Sequence, residues 1–347
     1  MFLMRPAGPS DLAAILELAR YLDSPNLPAD EAFLSTRLER SEESFQRLGP
    51  PCAEREYQFA LEDETNGVVG TCVILAKHGT REMPHLFLRV REEERRSQSV
   101  GVCVKHVTLQ LGALRDGPSE LGALILHPDV RGRAGQPGKL LSWGRFAFIA
   151  RHPDAFEATV LAEMRAAIDA QGRSTFWDAF GRHFTGMSYA DADRRSATEK
   201  SFILDLFPDT PFYAALLDEP ATRELGRVHD DALPALRLLE KAGLRWIGEI
   251  DPFDGGPFVG AAVSEIVPFR ESVTGRLGTG SPPDDTLPAI VSSEEGGSFL
   301  ATVAPALSTG NQIQLRKEAR ERLGLCAGEE VTCTPLPPPS RGRSKNG

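Results

Sequence analysis

The chain has 347 residues, more than one hydrophobic core usually holds, so a large domain and a smaller one are expected. Its formal net charge of −10 argues against a nucleic-acid surface, because phosphate binding requires clustered Lys and Arg. Its five cysteines form no C-x-x-C pair, so neither a disulfide framework nor a thiolate zinc site is predicted. No signal peptide and no membrane-spanning apolar run is recognisable, so we expect a cytoplasmic protein without membrane contact.

The first half of the chain alternates helices and strands. A short strand at 2–6 precedes an amphipathic helix that Ser10 caps, and a polar helix follows over 28–45. Asn66-Gly67 lies between two apolar runs and predicts a hairpin, because both residues tolerate a positive φ. Further strands are predicted over residues 100–111, 121–126, 158–164 and 244–250.

The second half favours helices first and strands later. Apolar spacing predicts several short helices over 174–227 and a longer one over 233–242, which Gly243 ends. A Gly- and Pro-rich stretch at 275–286 marks a linker or long loop, and the strand-like runs after it predict a small β-barrel-like module. We therefore expect an α/β (α+β) fold with a mixed central sheet covered by helices.

Residues 121–141 form the segment with the clearest chemical potential. An apolar strand runs into a glycine-rich loop that opens a helix, which concentrates backbone N–H groups and the positive end of the helix dipole at one point. A phosphate or pyrophosphate is the expected ligand. The predicted contacts are Leu124, Ile125, Leu126, Arg131, Gly132, Arg133, Gly135, Gly138 and Lys139.

This segment resembles motif A of the GNAT superfamily of acyl-CoA N-acyltransferases, in which a strand is followed by His-Pro-x-x-Arg-Gly and then Gly-x-Gly-x-x-Leu-Leu. Residues 127–132 match the first part of that pattern. In residues 135–141 the glycine loop is longer than the pattern, with Gly135-Gln136-Pro137-Gly138 before the two leucines. A second fragment, residues 235–244, is similar to the later helix of the superfamily, with its Glu-Lys-x-Gly ending. The resemblance implies an acyl-CoA N-acyltransferase fold.

Four further fragments resemble the arginine N-succinyltransferase family. They are Glu163-Met164-Arg165, residues 172–184, Val228-His229 and Asp254-Gly255-Gly256-Pro257. The resemblance implies transfer of a succinyl group from succinyl-CoA, as co-substrate, to the α-amine of L-arginine in bacterial arginine catabolism. Together with the composition of the chain, we expect a transferase domain over 1–255 with a helical insertion at about 170–227, a small β-rich domain over 256–335, and a disordered tail over 336–347.

The family comparison assigns roles to individual residues. It places a proton-donating histidine at His229, and an imidazole can exchange protons near neutral pH. It also carries the acyl-CoA contact over to Leu124. For the arginine guanidinium, Glu163 and Asp254 are the candidate carboxylates, although a structural role for either stays open. Arg165 or Arg182 could bind the succinyl carboxylate.

Metal, cofactors and partners complete the expectations. The remaining histidines show no ligand spacing, so we expect no metal, and no tightly bound cofactor is implied. Small-molecule substrates are the expected partners, and a homo- or hetero-oligomer is compatible with the sequence. Two alternatives stay open, namely a related acyltransferase that acts on another amine such as ornithine, and a catalytically silent acyl-CoA-binding or partner subunit.

Overall fold

The computed structural model describes residues 1–22, 27–169, 171–294 and 297–337. The tail expected over 336–347 lies outside these residues from 338 onward. The strands are β1 Phe2–Pro6, β2 Glu56–Asp63, β3 Gly67–Leu75, β4 His85–Ser97, β5 Val102–Leu114, β6 Ser119–Leu126, β7 Thr159–Glu163, β8 Phe212–Tyr213, β9 Arg245–Ile250, β10 Pro257–Ala262, β11 Val273–Leu277, β12 Pro288–Ser293, β13 Leu300–Thr309, β14 Gln312–Leu315 and β15 Glu330–Pro335.

The helices differ widely in length. Short 3-10 turns precede α1 and α9, and the first of them begins after Gly8 rather than at the predicted cap Ser10. The helices are α1 Leu12–Leu22, α2 Glu31–Gln46, α3 Pro137–Arg151, α4 Thr175–Ala179, α5 Gly181–Thr185, α6 Tyr189–Ser196, α7 Ser201–Leu206, α8 Glu219–Glu224, α9 Leu233–Ala242, α10 Val267–Glu271 and α11 Lys317–Leu323.

The strands form one hydrogen-bonded system in the order β12-β15-β11-β14-β13-β1-β2-β3-β6-β7-β10-β9-β4-β5-β8. Strands β12 and β13 also pair with each other, so the five strands from β11 to β15 close into a small barrel. Two pairs, β6–β7 and β11–β14, are parallel, and the others are antiparallel. The predicted fold class, a mixed sheet with helices and a small barrel, is confirmed.

The barrel begins later than we expected. Strand β10 lies beyond the expected boundary at residue 255, yet it pairs along its length with β7 and over most of it with β9 in the larger sheet. The barrel strands start only at Val273, and a single residue pair, Met4 with Ala301, joins β1 to β13. Hydrogen bonding therefore assigns residues 257–262 to the first part of the chain.

Helix α3 is the centre of the main core. It is buried on most of its surface and packs against β3, β6, β12 and α9. The ring of Phe148 lies within 5.5 Å of the rings of Phe45, Tyr57, Phe59 and Phe299, measured between centroids. Helices α1 and α2 cover the opposite face of the same strands, where Ile15 and Leu34 are fully buried. The sheet is thus covered on both faces.

The helical insertion has a hydrophobic core of its own. Trp177 stacks on Phe253 with 5.2 Å between ring centroids, and Phe180 stacks on Phe212 at 4.7 Å. These rings pack against Leu86 and Leu88 of β4, a strand that we did not predict. The second half of β4 reads Arg-Glu-Glu-Glu-Arg-Arg and extends beyond the sheet with β5, so it lacks the apolar alternation that identifies a half-buried strand.

Two strands separate in the middle of the sheet, and this separation positions the site. Strands β6 and β7 pair at Ser119–Val160 and Glu120–Leu161. Beyond that point β3 is the only strand partner of β6 among the described residues, and the register between β3 and β6 shifts where Ala123 adopts a φ of 48°. A bulge of this kind bends the strand. A cleft therefore opens between the carboxyl halves of β6 and β7.

Among the described residues, no helix has both the length and the apolar character that a membrane span requires.

Replacing Phe148 with Ala should lower the free energy of unfolding by about 3–5 kcal/mol, because it removes the ring that holds the aromatic cluster together. The measurement is chemical denaturation followed by circular dichroism. Leu287→Ala is the control, because Leu287 is 82% exposed and its truncation should change stability by about 0.5 kcal/mol or less. Equal effects of the two substitutions would contradict this account of the core.

Candidate active site

The glycine-rich loop between β6 and α3 has the backbone geometry of an anion-binding loop. Gly132 and Gly135 have φ values of 74° and 87°, and Gln136, which precedes the helix, is also left-handed at 55°. Among the described residues, the backbone N–H groups of Gly132, Gly135 and Gly138 have no acceptor in the protein. The loop is therefore able to direct N–H groups and the amino end of α3 at one anion.

Four cationic side chains surround this loop. Arg131 Nε donates to the carbonyl oxygen of Leu126 at 3.2 Å, and Arg133 Nε donates to that of Asp129 at 2.8 Å. Lys139 lies at the start of α3, where burial and the nearby Lys241 of α9 lower its pKa. Two lysines that repel each other favour an anion between them. Lys241 was not predicted, because it belongs to a different helix and is distant in sequence.

The cleft between β6 and β7 leaves one edge of β6 open. From Leu121 to Leu126 this edge has no strand partner among the described residues. Ile125 and Leu126 bury their side chains in the two cores, whereas Leu124 is half-buried, so a ligand would meet mainly backbone here. An extended chain that contains amides can pair with such an edge as an added strand does.

His229 lies beside the carboxyl end of β7. Its backbone N–H donates to the carbonyl oxygen of Arg165 at 2.9 Å, next to an isolated bridge between Ala166 and Val228. Its Nδ1 accepts from the backbone N–H of Asp231 at 3.1 Å, so a neutral ring carries its proton on Nε2. The side chain is 26% exposed. Nε2 is therefore the nitrogen that can exchange protons with a ligand.

Three carboxylates converge on the same end of β7. An oxygen of Glu163, one of Asp251 and one of Asp254 all lie within 4.8 Å of one another. Asp254 is held rigidly, because its Oδ2 accepts from Ala166 N at 3.1 Å and its Oδ1 accepts from Gly256 N at 2.7 Å. Among the described residues, no cation lies within ion-pair distance of Glu163 or Asp251. We call this cluster, with the neighbouring Tyr189 and Asp193 of α6, the carboxylate recess.

The carboxyl groups of the recess are buried and repel one another. Burial and the neighbouring Asp254 raise the pKa of Asp251 to about 8, and burial together with Asp251 and Asp254 raises that of Glu163. Burial and Asp254 raise the pKa of Asp193 to about 7. Such shifts arise where buried like charges lack counter-ions. The recess is therefore suited to a cationic ligand.

Several candidate ligands satisfy this requirement. The three convergent carboxylates could hold a divalent cation, since oxygen donors suit Mg²⁺ and Ca²⁺. They could equally hold a guanidinium or an ammonium group, both of which carry hydrogen-bond donors for several carboxylate oxygens. The absence of a resident metal stays a prediction.

The structure unites some predicted residues and separates others. Glu163, Arg165, His229 and Asp254 meet at the end of β7, and Arg165 acts electrostatically on Asp254. Arg182 is not part of this group, because it lies exposed on α5, 3.4 Å from Asp178. Asp251, Tyr189 and Asp193 were missed. The short spacing of Asp251 and Asp254 in one tight turn is a sequence signal that could have identified Asp251.

A cavity of about 260 Å³ opens elsewhere, between α1 and the loop after β6. Its lining includes Glu17, Asn66, His127 and Arg133, and it contains none of the residues of the carboxylate recess. The cavity adjoins the anion-binding loop and is separate from His229 and the three carboxylates.

Known proteins resemble this chain along almost its full length. A family model described as AstA, arginine N-succinyltransferase beta subunit, matches residues 2–268. The arginine N-succinyltransferase subunit beta of Pseudomonas aeruginosa is 36% identical over 343 residues, which are 98% of this chain and 100% of that protein. The chain belongs to the arginine N-succinyltransferase family.

Two further relatives agree with this family assignment. The arginine N-succinyltransferase of Escherichia coli is 35% identical over 336 residues, 95% of this chain and 96% of that protein. The solved structure of arginine/ornithine succinyltransferase subunit AI from Pseudomonas aeruginosa has a TM-score of 0.82 at 31% identity, and the match covers 96% of this chain and 98% of that one. The resemblance drawn from the four sequence fragments is confirmed, and the family is one of acyl-CoA-dependent N-acyltransferases.

The recess makes stability depend on pH. A carboxyl group whose folded pKa is raised keeps a proton that the unfolded chain has released, so the folded state loses stability as pH rises from about 4 towards about 8. Replacing Glu163 with Gln removes one repelling charge. We therefore compare the melting temperatures of the variant and the wild type without ligand. The variant's advantage over the wild type should be about 2–4 °C larger at about pH 9 than at about pH 5.

Glu42→Gln, on the exposed face of α2, is the control for this titration. Its melting temperature should follow that of the wild type at every pH. Parallel curves for Glu163→Gln and the wild type would show that the three carboxylates do not repel one another.

Proposed function

We propose that this protein transfers a succinyl group from succinyl-CoA to the α-amine of L-arginine. The observation that carries the proposal is the carboxylate recess, in which no cation of the described residues lies within ion-pair distance of Glu163 or Asp251. The recess lies beside His229 and across the cleft from an anion-binding loop. The names of the related enzymes indicate the substrate class. The loop, the open edge of β6, His229 and the recess support the proposal, because each suits a different part of the two substrates.

Acyl-CoA would occupy the cleft between β6 and β7. Its pyrophosphate suits the loop of Gly132 and Gly135 at the amino end of α3, with Arg131, Arg133 and Lys139 nearby. The amides of its pantetheine arm can pair with the open edge of β6 around Leu124. This route delivers the thioester to the bulge at Ala123, where the cleft begins.

Arginine would lie along the end of β7. Arg165, whose carbonyl oxygen accepts from the backbone N–H of His229, follows Glu163 by two positions in the chain. In an extended chain this step covers about 7 Å. That length is comparable to the span from the α-nitrogen to the guanidinium of an extended arginine. The guanidinium would thus meet Glu163, Asp251 and Asp254 while the α-amine reaches His229.

The chemistry needs no covalent enzyme intermediate. The amine nitrogen attacks the thioester carbonyl carbon, the C–N bond forms and the C–S bond breaks. The amine loses one proton and the CoA sulfur gains one, and we assign this transfer to His229 Nε2. For the succinyl carboxylate, Arg165 stays a candidate because it adjoins His229, whereas Arg182 lies outside the site.

Ornithine is the second candidate acceptor. One relative of known structure is an arginine/ornithine succinyltransferase, and a side-chain ammonium would also neutralise the carboxylate recess. A planar guanidinium, however, can engage several carboxylates at once. We therefore propose arginine as the preferred acceptor.

Assembly and location belong to the proposal as well. Two relatives carry the word subunit in their names, and we propose that this chain also works in an oligomer. The cytoplasmic location expected from the sequence stays a prediction.

Purified protein should release free CoA thiol from succinyl-CoA when arginine is added, and more slowly with ornithine. The assay compares arginine, ornithine, lysine and glutamine as acceptors, because lysine tests a longer ammonium and glutamine lacks the cation. Binding of CoA without thiol release for any amine would refute the enzyme and support a silent subunit.

Replacing His229 with Ala should reduce kcat by about two to four orders of magnitude, because proton transfer loses its side chain. The KM for arginine should change little if the recess, rather than His229, holds the guanidinium. The control is His106→Ala, because His106 lies on β5 beside Tyr213, outside the recess. A near-normal turnover of the His229 variant would remove this residue from the mechanism.

A further inference from the structure

The segment that follows the barrel reaches the amino end of α3. Strand β15 pairs with β12 as far as Pro335, and Leu336, beyond the strand, packs against the main core. Pro337 is buried, and its carbonyl oxygen lies 3.5 Å from Nζ of Lys139. Lys139 belongs to the first turn of α3, directly after the glycine-rich loop. The barrel therefore brings the chain to the anion-binding loop.

Contacts at both ends of α3 fix this path. Arg151, the last residue of α3, donates from Nη1 to Thr332 Oγ1 at 2.6 Å and from Nη2 to Glu330 Oε1 at 3.2 Å. Glu330 and Thr332 thus lie at the carboxyl end of the helix, whereas Pro337 lies at its amino end. Strand β15 and the two residues after it run along the length of α3.

The residues that come next are strongly cationic. Residues 338–347 contain Arg341, Arg343 and Lys345 and no acidic side chain, although the whole chain has a formal net charge of −10. Arg341 is four residues beyond Pro337, and four residues span at most about 14 Å. Lys345 is eight residues beyond it, which corresponds to at most about 28 Å. All three cations are therefore tethered within reach of the anion-binding loop.

The loop gives these cations a partner only when an anion is bound. Among the described residues, the N–H groups of Gly132, Gly135 and Gly138 have no acceptor, and Lys139 has no carboxylate within 4.0 Å. Such a site attracts anions and repels further cations. A ligand with more negative charge than the loop can neutralise would reverse this repulsion. CoA is such a ligand, because it carries a 3′-phosphate in addition to its pyrophosphate.

We propose that residues 338–347 form part of the acyl-CoA site, where Arg341, Arg343 and Lys345 bind the 3′-phosphate of CoA while the glycine-rich loop binds the pyrophosphate. This inference rests on the proposed use of acyl-CoA as co-substrate. It gives the barrel a functional role, because β15 anchors the cationic segment beside the loop. Arginine and lysine side chains form charge-assisted hydrogen bonds with phosphate oxygens, and the tether raises their effective concentration there.

The test measures binding of CoA and of 3′-dephospho-CoA by calorimetry. One variant ends after Pro337, and a second replaces Arg341, Arg343 and Lys345 with Gln. A third replaces the two arginines with Lys and so keeps the charge. Melting temperatures verify that every variant is folded.

The matched control removes the same number of positive charges elsewhere. Arg95, Arg96 and Lys105, which are 65%, 75% and 70% exposed, are replaced with Gln. They lie on β4 and β5, which β7, β10 and β9 separate from β6 in the sheet. This control changes the net charge of the protein by the same amount without touching the segment after Pro337.

Wild-type protein should bind CoA more tightly than 3′-dephospho-CoA. The truncated variant and the Gln variant should each bind CoA about 5- to 50-fold more weakly, and their affinity for 3′-dephospho-CoA should stay close to that of the wild type. The Lys variant and the control should bind both ligands as the wild type does. In about 1 M NaCl the preference for CoA should largely disappear, because charges are screened beyond about 3 Å.

Unchanged CoA binding by the truncated or the Gln variant would overturn the inference. Equal weakening for both ligands would also overturn it, because the 3′-phosphate would not be the group recognised. Tighter binding after truncation would show that the segment obstructs the loop instead.

Thiol release separates these results from the proposed function. Wild-type turnover with tail variants that bind CoA normally would refute the role of residues 338–347 alone. Tail-dependent CoA binding without thiol release for any amine would contradict the reaction, while the role of these residues would stand. A wild-type protein that binds no CoA would contradict both.

Discussion

The early separation of β6 and β7 is the constraint on which the site depends. A parallel pair that continued along both strands would satisfy the backbone groups of residues 121–126 internally and leave no room for a ligand. The left-handed Ala123 and the register shift against β3 bend β6 away after two residue pairs. The same bend directs β6 into the glycine loop and the amino end of α3. One local backbone feature thus produces both an open strand edge and the anion-binding loop beyond it.

The carboxylate recess is the electrostatic counterpart of this cleft. Asp254 is fixed by the backbone N–H groups of Ala166 and Gly256, and a side chain at position 256 would place its Cβ 2.4 Å from the carbonyl oxygen of Met164. The Gly-Gly turn is therefore required by close approach. The turn holds the carboxylates close enough to repel one another. A cationic ligand would relieve this repulsion, and the relief would contribute to its binding free energy. Stability and affinity are linked through the same three side chains.

The sequence predicted the parts of the site that are contiguous in the chain. The strand, loop and helix of residues 121–151 follow local rules of periodicity and glycine placement, and His229 and Asp254 were found through motif resemblance. Lys241 was not found, because it belongs to α9 and only long-range packing brings it near Lys139. Asp251 was missed although it lies three residues before Asp254 in the same turn. Strand β4 was missed because its charged second half extends from the sheet. The start of the barrel domain was placed too early, because β10 pairs with β7 in the larger sheet.

We propose that the recess at the end of β7 binds the cationic side chain of the acceptor while His229 faces the acceptor's α-amine. A crystal structure with CoA and arginine bound tests it most directly. We predict the guanidinium within hydrogen-bond distance of Glu163 and Asp251, the α-nitrogen beside His229, and the CoA sulfur near the start of the cleft. A guanidinium bound in the cavity between α1 and the loop after β6, next to Glu17 and Asp129, would contradict the account.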